Sequence, residues 1–104
     1  MLIVTVPQIQ GMRIVETLGL VQGNTVRSRA IGKDILAIIK LIVGGEVTEY
    51  TNLLIESRLQ AIERMSFQAE HMGGNAIVGA RFETAIGKNG EIQILAYGTA
   101  VKVK

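Results

Sequence analysis

The sequence predicts a single α+β domain in which a small mixed or antiparallel sheet packs against two consecutive helices. Runs rich in β-branched residues occupy both ends of the chain, and two stretches with helical apolar spacing lie between them. Glycine pairs follow the two helical stretches, at Gly44-Gly45 and at Gly73-Gly74. Residues 87–90, which separate the last two strand-like runs, are glycine-bounded and typical of a hairpin.

The composition indicates one domain that completes its core by self-assembly. The chain has 104 residues, which suits a single domain over residues 1–104. Hydrophobic residues make up 48% of the chain and aromatic residues only 4%, so the apolar content is almost all aliphatic. A domain of this size has too little interior to hide that much aliphatic surface. We therefore expect other copies of the chain to cover the remainder.

Two strands are predicted before the helices. Residues 2–6 form a short β-branched run that ends at Pro7. Residues 13–27 also have strand character, and Gly19 within them suggests a bulge or a close approach of another backbone. Gly23-Asn24 fits a turn that divides this stretch into a hairpin, and it also fits a kink in one long bent strand. The sequence does not decide between these two arrangements.

Two helices are predicted in the middle of the chain. Residues 30–43 are apolar around most of the helix circumference, so this first helix must be covered on most sides. Residues 46–72 form a longer second helix, whose apolar face comprises Val47, Tyr50, Leu54, Ala61, Ile62, Met65, Ala69 and Met72.

The rest of the second helix divides into a solvated face and two apolar flanks. A stripe of carboxylates recurs every seventh residue and is interpreted as the solvated face: Glu49, Glu56, Glu63 and Glu70. Four apolar residues lie on the flanks, outside the main face, where we expect contacts with other subunits: Leu53, Ile55, Leu59 and Phe67.

A hairpin is predicted at the C-terminal end. Residues 76–86 alternate as a strand does, and Asn89-Gly90 readily adopts the positive φ of a tight turn. Residues 91–103 form the closing strand, with apolar side chains on both of its faces. That pattern suits a strand covered by helices on one side and by other subunits on the other.

Several classes of protein are excluded or disfavoured. With no cysteine, the chain forms no disulfide and no thiolate zinc site. Residues 35–43 are the most apolar stretch, yet they contain Lys40 and are too few to span a bilayer. The N-terminus lacks the basic segment of a signal peptide, so we expect a cytoplasmic protein without membrane association. The net charge is only +2, and the small basic cluster Arg27, Arg29 and Lys33 has no interleaved aromatics, so no nucleic-acid partner is expected.

Arg58 and Tyr50 are the candidate ligand-binding residues. Arg58 falls within the predicted apolar face, where a charge must be paired or must reach water. The simpler interpretation is a structural ion pair with Asp34 or Glu16. The functional interpretation is contact with an anion in a pocket between subunits, which Tyr50 would also line.

His71 is the candidate metal ligand, although no metal site is assigned. It is the single histidine, and a histidine near a helix C-terminus commonly stabilises the helix dipole or lies at an interface. Met65 and Met72 share a helix face and suit a soft ion, but core packing explains them more simply. A ring would bring several copies of one histidine together. We predict no catalytic residue and assign no cofactor, although a metal ion is compatible with the candidate ligand His71.

An ordered set of residues runs through nearly the whole chain. It comprises Val43-Gly44-Gly45, Tyr50, Leu54, Arg58, Ala61, Ala69, Gly73, Ala76, Val78-Gly79, Gly87, Gly90 and Gly98-Thr99-Ala100-Val101-Lys102, with Ile14-Val15-Glu16, Gly19 and Gly23 before them. This set resembles the YbjQ family of small uncharacterised prokaryotic proteins. The resemblance implies a dodecin-like subunit that assembles into a ring, as a homopentamer, with sheets inside and helices outside. The family carries the label "putative heavy-metal-binding", without a ligand set to transfer.

Three hypotheses about function follow. The leading one is a non-catalytic homopentamer that binds a small ligand or a metal ion at subunit boundaries or on the ring axis. The second is an enzyme with a shared active site built from Arg58, Tyr50, His71 and Asp34. The chain has no nucleophile–base spacing, which favours the non-catalytic hypothesis. The third is a structural scaffold with protein partners.

Overall fold

The computed structural model describes residues 1–27 and 48–104, with side chains described for residues 1–27 and 51–104. These residues form an α+β fold with four strands and one helix. In chain order the elements are β1 (Leu2–Ile3), β2 (Ile14–Arg27), α1 (Thr48–His71), β3 (Ala76–Ile86) and β4 (Ile92–Val103). The predicted first helix, residues 30–43, lies outside the described residues.

The strands form one mixed sheet with the order β1-β3-β4-β2. β1 runs parallel to β3, whereas β4 is antiparallel to both β3 and β2. Backbone pairing with β3 continues past β1, because Val4 donates to the Ile77 carbonyl (2.9 Å) and Gly79 donates to the Val6 carbonyl (3.0 Å). The predicted strand at residues 2–6 is therefore confirmed as a region of strand pairing.

β2 is one continuous strand, which decides between the two arrangements that the sequence allows. Gly19 lies at a register shift between β2 and β4 and has φ +128°, so the bulge expected there is confirmed. Gly23 makes no turn. A Cβ atom at Gly23 would lie 2.1 Å from the Ala61 carbonyl oxygen, so the helix backbone lies directly against β2 at this residue.

The ends of α1 and of the hairpin are set by glycines. Gly73 has φ +89°, its N–H donates to Glu70 (2.9 Å), and the Gly74 N–H donates to Ala69 (2.9 Å). These two hydrogen bonds form a Schellman cap, as the Gly73-Gly74 pair predicts. In the hairpin, Gly87 bonds to the Glu91 carbonyl (2.8 Å) and Gly90 has φ +80°. Gly90 alone supplies the positive φ; Asn89 does not adopt it.

α1 covers one face of the sheet over β2 and β4. Its buried row recurs every fourth residue and consists of Ser57, Ala61, Met65 and Ala69. Ala61, Met65 and Ala69 pack against Val21, Ile92, Ile94 and Ala96 of the sheet. The predicted apolar face is therefore correct at its centre, whereas Met72 at its end is 39% exposed.

One polar pair is built into this core. Thr25 Oγ1 donates to the Ser57 carbonyl (2.9 Å), and Ser57 Oγ donates to the Leu53 carbonyl (2.7 Å). Because both buried hydroxyls have partners, they add no unpaired polar group to the interior.

Within residues 1–27 and 48–104, the opposite face of the sheet is covered at one end only. Ala76, Val78, Val101 and Val103 form a second buried cluster there, and the N-terminal segment packs on it through Val4, Ile9 and Ile14. The hairpin end of this face lacks such a cover among the described residues. In the part of the chain that the structure describes, the sheet therefore has a covered end near β1 and an uncovered end near the hairpin.

The molecule is elongated for its mass. Its principal-axis extents are 52 × 22 × 17 Å and its radius of gyration is 17.1 Å. A compact domain of this length has a radius of gyration of about 13 Å.

Candidate functional site

Arg58 lies in α1 but is exposed, which corrects its predicted position within the apolar face. Its neighbour Ser57 takes the buried position instead. Glu16, one of the two partners expected for Arg58, pairs with Lys102 (3.5 Å between Nζ and Oε1). The other expected partner, Asp34, lies outside the described residues. The role of Arg58 as a ligand contact stays a prediction.

Tyr50 belongs to the first turn of α1, although its side chain is outside the described set. The pocket expected between Tyr50 and Arg58 is therefore not described. Two shallow depressions among the described residues lie elsewhere. One involves Gln8 and Met12, and the other lies near the hairpin, beside Asn24 and Glu83.

His71 ends α1 in an exposed position and contacts Phe67, with 4.5 Å between ring centroids. The described residues contain no group of three or more His, Cys, Asp or Glu side chains that could hold a metal ion. Met65 is buried in the core and Met72 is partly exposed, so the two thioethers have different surroundings. The described part of one chain thus does not fit a metal site by itself.

A polar seam joins α1 to β2, and sequence reasoning missed it. We use this name for four helix residues at four-residue spacing, which together contact the edge strand: Glu56, Gln60, Arg64 and Gln68. The four-residue spacing of these polar side chains is the feature of the sequence that could have predicted the seam, because residues four apart lie on one side of a helix.

The seam contacts both a side chain and the backbone of β2. Arg27 donates to Glu56 (3.1 Å) and to Gln60 (3.2 Å). Arg64 donates to the Asn24 carbonyl, and Gln68 Oε1 accepts the N–H of Gln22 (2.7 Å). Glu56, Glu63 and Glu70 are exposed, as the predicted acidic stripe requires, yet Glu56 also belongs to the seam.

The backbone groups that the seam binds point away from the sheet. In an antiparallel pair, successive residues direct their N–H and C=O groups alternately toward and away from the partner strand. Gly87 donates to the Glu91 carbonyl, so the backbone groups of Gly87 point toward β4. Counting alternate residues from Gly87 through the pairing of β3 with β4, and then of β4 with β2, gives the residues of β2 whose groups point outward. Gln22 and Asn24 therefore face outward along the β2 edge, where the seam residues meet them.

The open face is the surface of the sheet away from α1 at the hairpin end. Cross-strand pairing places Asn24, Leu95 and Glu83 side by side on it, with Gln22, Tyr97 and Arg81 in the next row. A depression of about 300 Å³ lies on this face near Asn24, Glu83 and Leu95. Its lining can offer amide and carboxylate groups to a ligand, but it is shallow in a single chain.

Large hydrophobic side chains are exposed outside this depression. On the strands these include Leu20, Val26, Phe82 and Ile86, and on α1 they include Ile55, Leu59 and Phe67. Three of the four flank residues predicted from the sequence are thus exposed, whereas Leu53 is partly buried against the core. No helix in the described residues is both long enough and apolar enough to cross a membrane.

The described residues place one helix over a four-stranded mixed sheet, an α+β arrangement that has a known structural example. A crystal structure of a protein of unknown function from Pediococcus pentosaceus, assigned to the DUF74 family, has a similar fold with a TM-score of 0.72. The similarity covers 100% of this chain and 98% of the other, at 17% sequence identity. At that identity the likeness concerns the fold alone.

The chain belongs to the YbjQ family, whose model is described as "Putative heavy-metal-binding" and matches residues 1–104. It is 50% identical to a UPF0145 protein of Pseudothermotoga lettingae, over 100% of this chain and 98% of that protein. A UPF0145 protein of Methanosarcina acetivorans is 47% identical, over 99% of this chain and 97% of its own length. The resemblance noted in the sequence is therefore confirmed along the whole chain.

Proposed function

We propose that this protein is a non-catalytic homo-oligomer that binds a small ligand or a metal ion at the boundaries between its subunits. The observation that carries the proposal is the amount of apolar surface left on a single chain. Leu20, Phe67 and Ile86 are each more than half exposed, at 69%, 62% and 63%. Surface of this kind in a small soluble domain marks an interaction site.

A ring of five subunits is the assembly that we propose, since it is the arrangement implied by the YbjQ likeness. A ring requires each subunit to present two different complementary surfaces. The elongated sheet and the exposed flank of α1 provide two such surfaces in the described residues. In a ring with the sheets inside and the helices outside, the open face of each subunit would point toward neighbouring copies of the chain.

The proposed binding site lies between subunits because the described residues of a single chain provide no complete one. The depression near Asn24 and Glu83 is open, and a neighbouring subunit would close it. For a metal ion, the family description is the supporting observation, and His71 is the candidate ligand. Since the described residues offer no metal cluster within one chain, His71 would have to act with groups from another copy.

Native mass spectrometry combined with elemental analysis tests this proposal. We expect the mass of a homopentamer, with additional mass that is lost under denaturing conditions or an element bound at a fixed ratio to chains. A single chain at all concentrations would overturn the proposal. A pentamer free of ligand and metal would contradict the binding part and leave the assembly part standing.

A further inference from the structure

The tip of the β3–β4 hairpin is held by two backbone hydrogen bonds. The Gly87 N–H donates to the Glu91 carbonyl (2.8 Å), and the Gly90 N–H donates to the Gly87 carbonyl (3.1 Å). With Gly90 at φ +80°, this loop is a tight turn followed by a left-handed glycine. Lys88 and Asn89 lie between the two glycines and are exposed. The side-chain amide of Asn89 is therefore open to water, next to the Gly90 peptide group.

The Glu91 side chain adds a third contact to the tip. Its Oε2 accepts the N–H of Asn89 (3.1 Å), so the carboxylate folds back over the turn. A Cβ atom at Gly87 would overlap this carboxylate, so the glycine leaves the space that the side chain occupies. Glu91 therefore restrains the backbone before Asn89, and the Gly87 carbonyl restrains the backbone after it.

Asn89 differs from the other asparagines in the residue that follows it. Asn89 precedes Gly90, whereas Asn24, Asn52 and Asn75 precede threonine, leucine and alanine. The backbone nitrogen that follows an asparagine can attack the side-chain amide carbon, and a side chain on the attacking residue hinders this approach. Glycine has no Cβ atom and allows the approach most freely. The sequence therefore favours this reaction at Asn89.

We propose that Asn89 is a site of spontaneous deamidation through Gly90, and that the folded hairpin tip restrains the reaction. The Gly90 nitrogen loses its proton to water or hydroxide and forms a bond to Cγ of Asn89. The bond from Cγ to Nδ2 breaks, and Nδ2 takes up a proton and leaves as ammonia, which gives a five-membered succinimide. Water then opens the ring at either carbonyl, so residue 89 becomes aspartate or isoaspartate. The net change is the addition of water and the loss of ammonia, without oxidation or reduction.

The restraint follows from the hydrogen bonds of the tip. The Gly90 N–H is donated to Gly87, so this bond must open before the nitrogen can lose its proton and turn toward the amide. Glu91 holds the Asn89 N–H and opposes the same rearrangement. When a reaction requires local opening, its rate falls with the population of the open form. The folded chain should therefore react more slowly at Asn89 than the unfolded chain.

The products change both the charge and the backbone of the tip. Each adds a carboxylate close to Glu91, whose own charge repels it. Isoaspartate also inserts a methylene group into the main chain between residues 89 and 90, which shifts the Gly90 N–H relative to the Gly87 carbonyl. Deamidation therefore loosens the end of the β3–β4 pair. The site is separate from the proposed binding of a ligand or metal ion and requires neither.

Peptide mapping by mass spectrometry, after incubation of the full chain at mildly alkaline pH, measures the rate at each asparagine. Replacement of NH₂ by OH raises the mass of the peptide, and chromatography separates the aspartate and isoaspartate forms. We expect the native protein to react at Asn89 roughly tenfold faster than at Asn24, Asn52 or Asn75, because glycine hinders the attacking nitrogen least. Unfolding in guanidinium chloride should raise the rate at Asn89 further. A native protein that is unmodified at Asn89, or that reacts equally at all these residues, would overturn the assignment of the site.

Glu91→Ala tests the restraint, with Glu83→Ala as the matched control. Loss of the Glu91 carboxylate frees the Asn89 N–H, so the rate at Asn89 should rise about threefold, as expected for the loss of one exposed hydrogen bond. Glu83 is an exposed carboxylate of β3 outside the tip, and its removal should leave the rate unchanged. Circular dichroism checks that both variants fold. Equal rates at Asn89 in Glu91→Ala and wild type, or in folded and unfolded chains, would show that the hairpin exerts no restraint.

Discussion

Gly23 is the residue at which the structure depends most directly on the absence of a side chain. An added Cβ would lie 2.1 Å from the Ala61 carbonyl oxygen and 2.6 Å from the Met65 nitrogen. Both atoms belong to the backbone of α1, so neither can move without shifting the helix away from β2. The packing of the helix on the sheet is therefore set at this residue.

Gly23→Ala should destabilise the protein by roughly 3 kcal/mol, because overpacking against backbone atoms cannot be relieved by a rotamer change. The measurement is urea unfolding at a fixed chain concentration. Val26→Ala is the matched control on the same strand, since Val26 is exposed and its truncation should change the free energy of unfolding by less than about 0.5 kcal/mol. Equal stability of Gly23→Ala and wild type would mean that α1 does not pack as described.

Individual residues were harder to predict than the elements that contain them. The sequence marks Gly19 as special, and the bulge is there, but the close approach of the helix occurs at Gly23. It also places Arg58 on the apolar face, although a polar residue, Ser57, takes the buried position and satisfies its hydroxyl on Leu53. The spacing of apolar residues alone does not decide which of two neighbouring polar residues, the short Ser57 or the long Arg58, is buried.

At the scale of elements, the polar seam is the main connection between α1 and the sheet edge outside the core. One of its hydrogen bonds joins two side chains, whereas another joins a side chain to a backbone N–H. The Arg27–Glu56 ion pair joins two side chains that are 32% and 62% exposed, so it should contribute little. The Gln68 contact satisfies a backbone N–H that has no strand partner on its outer side among the described residues.

Gln68→Leu should speed hydrogen exchange of the Gln22 amide about fivefold, which corresponds to the loss of about 1 kcal/mol for one hydrogen bond. Gln68→Glu should keep the slow rate, because a carboxylate oxygen still accepts this N–H. Exchange measured by NMR on both variants separates the hydrogen bond from the bulk of the side chain. An unchanged rate in Gln68→Leu would show that the seam does not protect this edge.

Most elements could be predicted because each has a local signal. Predicted and observed limits agree within two residues for α1, β3 and β4, where glycines and alternation mark the ends. The pairing of β2 with β4, and the parallel pairing of β1 with β3, connect residues far apart in sequence. Nothing local specifies such pairing, which is why the sequence could not decide between a hairpin and one long strand for residues 13–27.

At the scale of the whole molecule, the exposed apolar side chains on α1 are candidates for contacts between subunits. Leu59 and Phe67 are 61% and 62% exposed, so neither supports the core of its own chain to any large extent. They are two of the flank residues that the sequence marks for subunit contacts. Burial of such side chains in an assembly would contribute roughly 1.5–3 kcal/mol each.

The double variant Leu59→Ser, Phe67→Ser should therefore weaken the assembly at least tenfold. Glu63→Ser, an exposed change between them on the same helix, should have no effect. Sedimentation velocity across a dilution series measures both variants, and circular dichroism confirms that each keeps its helix. If the double variant assembles as tightly as the wild type, the flanks of α1 lie outside the subunit contacts.

The register between β2 and β4 has a consequence for the speed of folding. Ile14 pairs with Val103, so these two strands meet only across a long separation in sequence. Closing so long a loop costs chain entropy before any hydrogen bond between the strands can form, so we expect the pairing of β2 with β4 to be a slow step in folding.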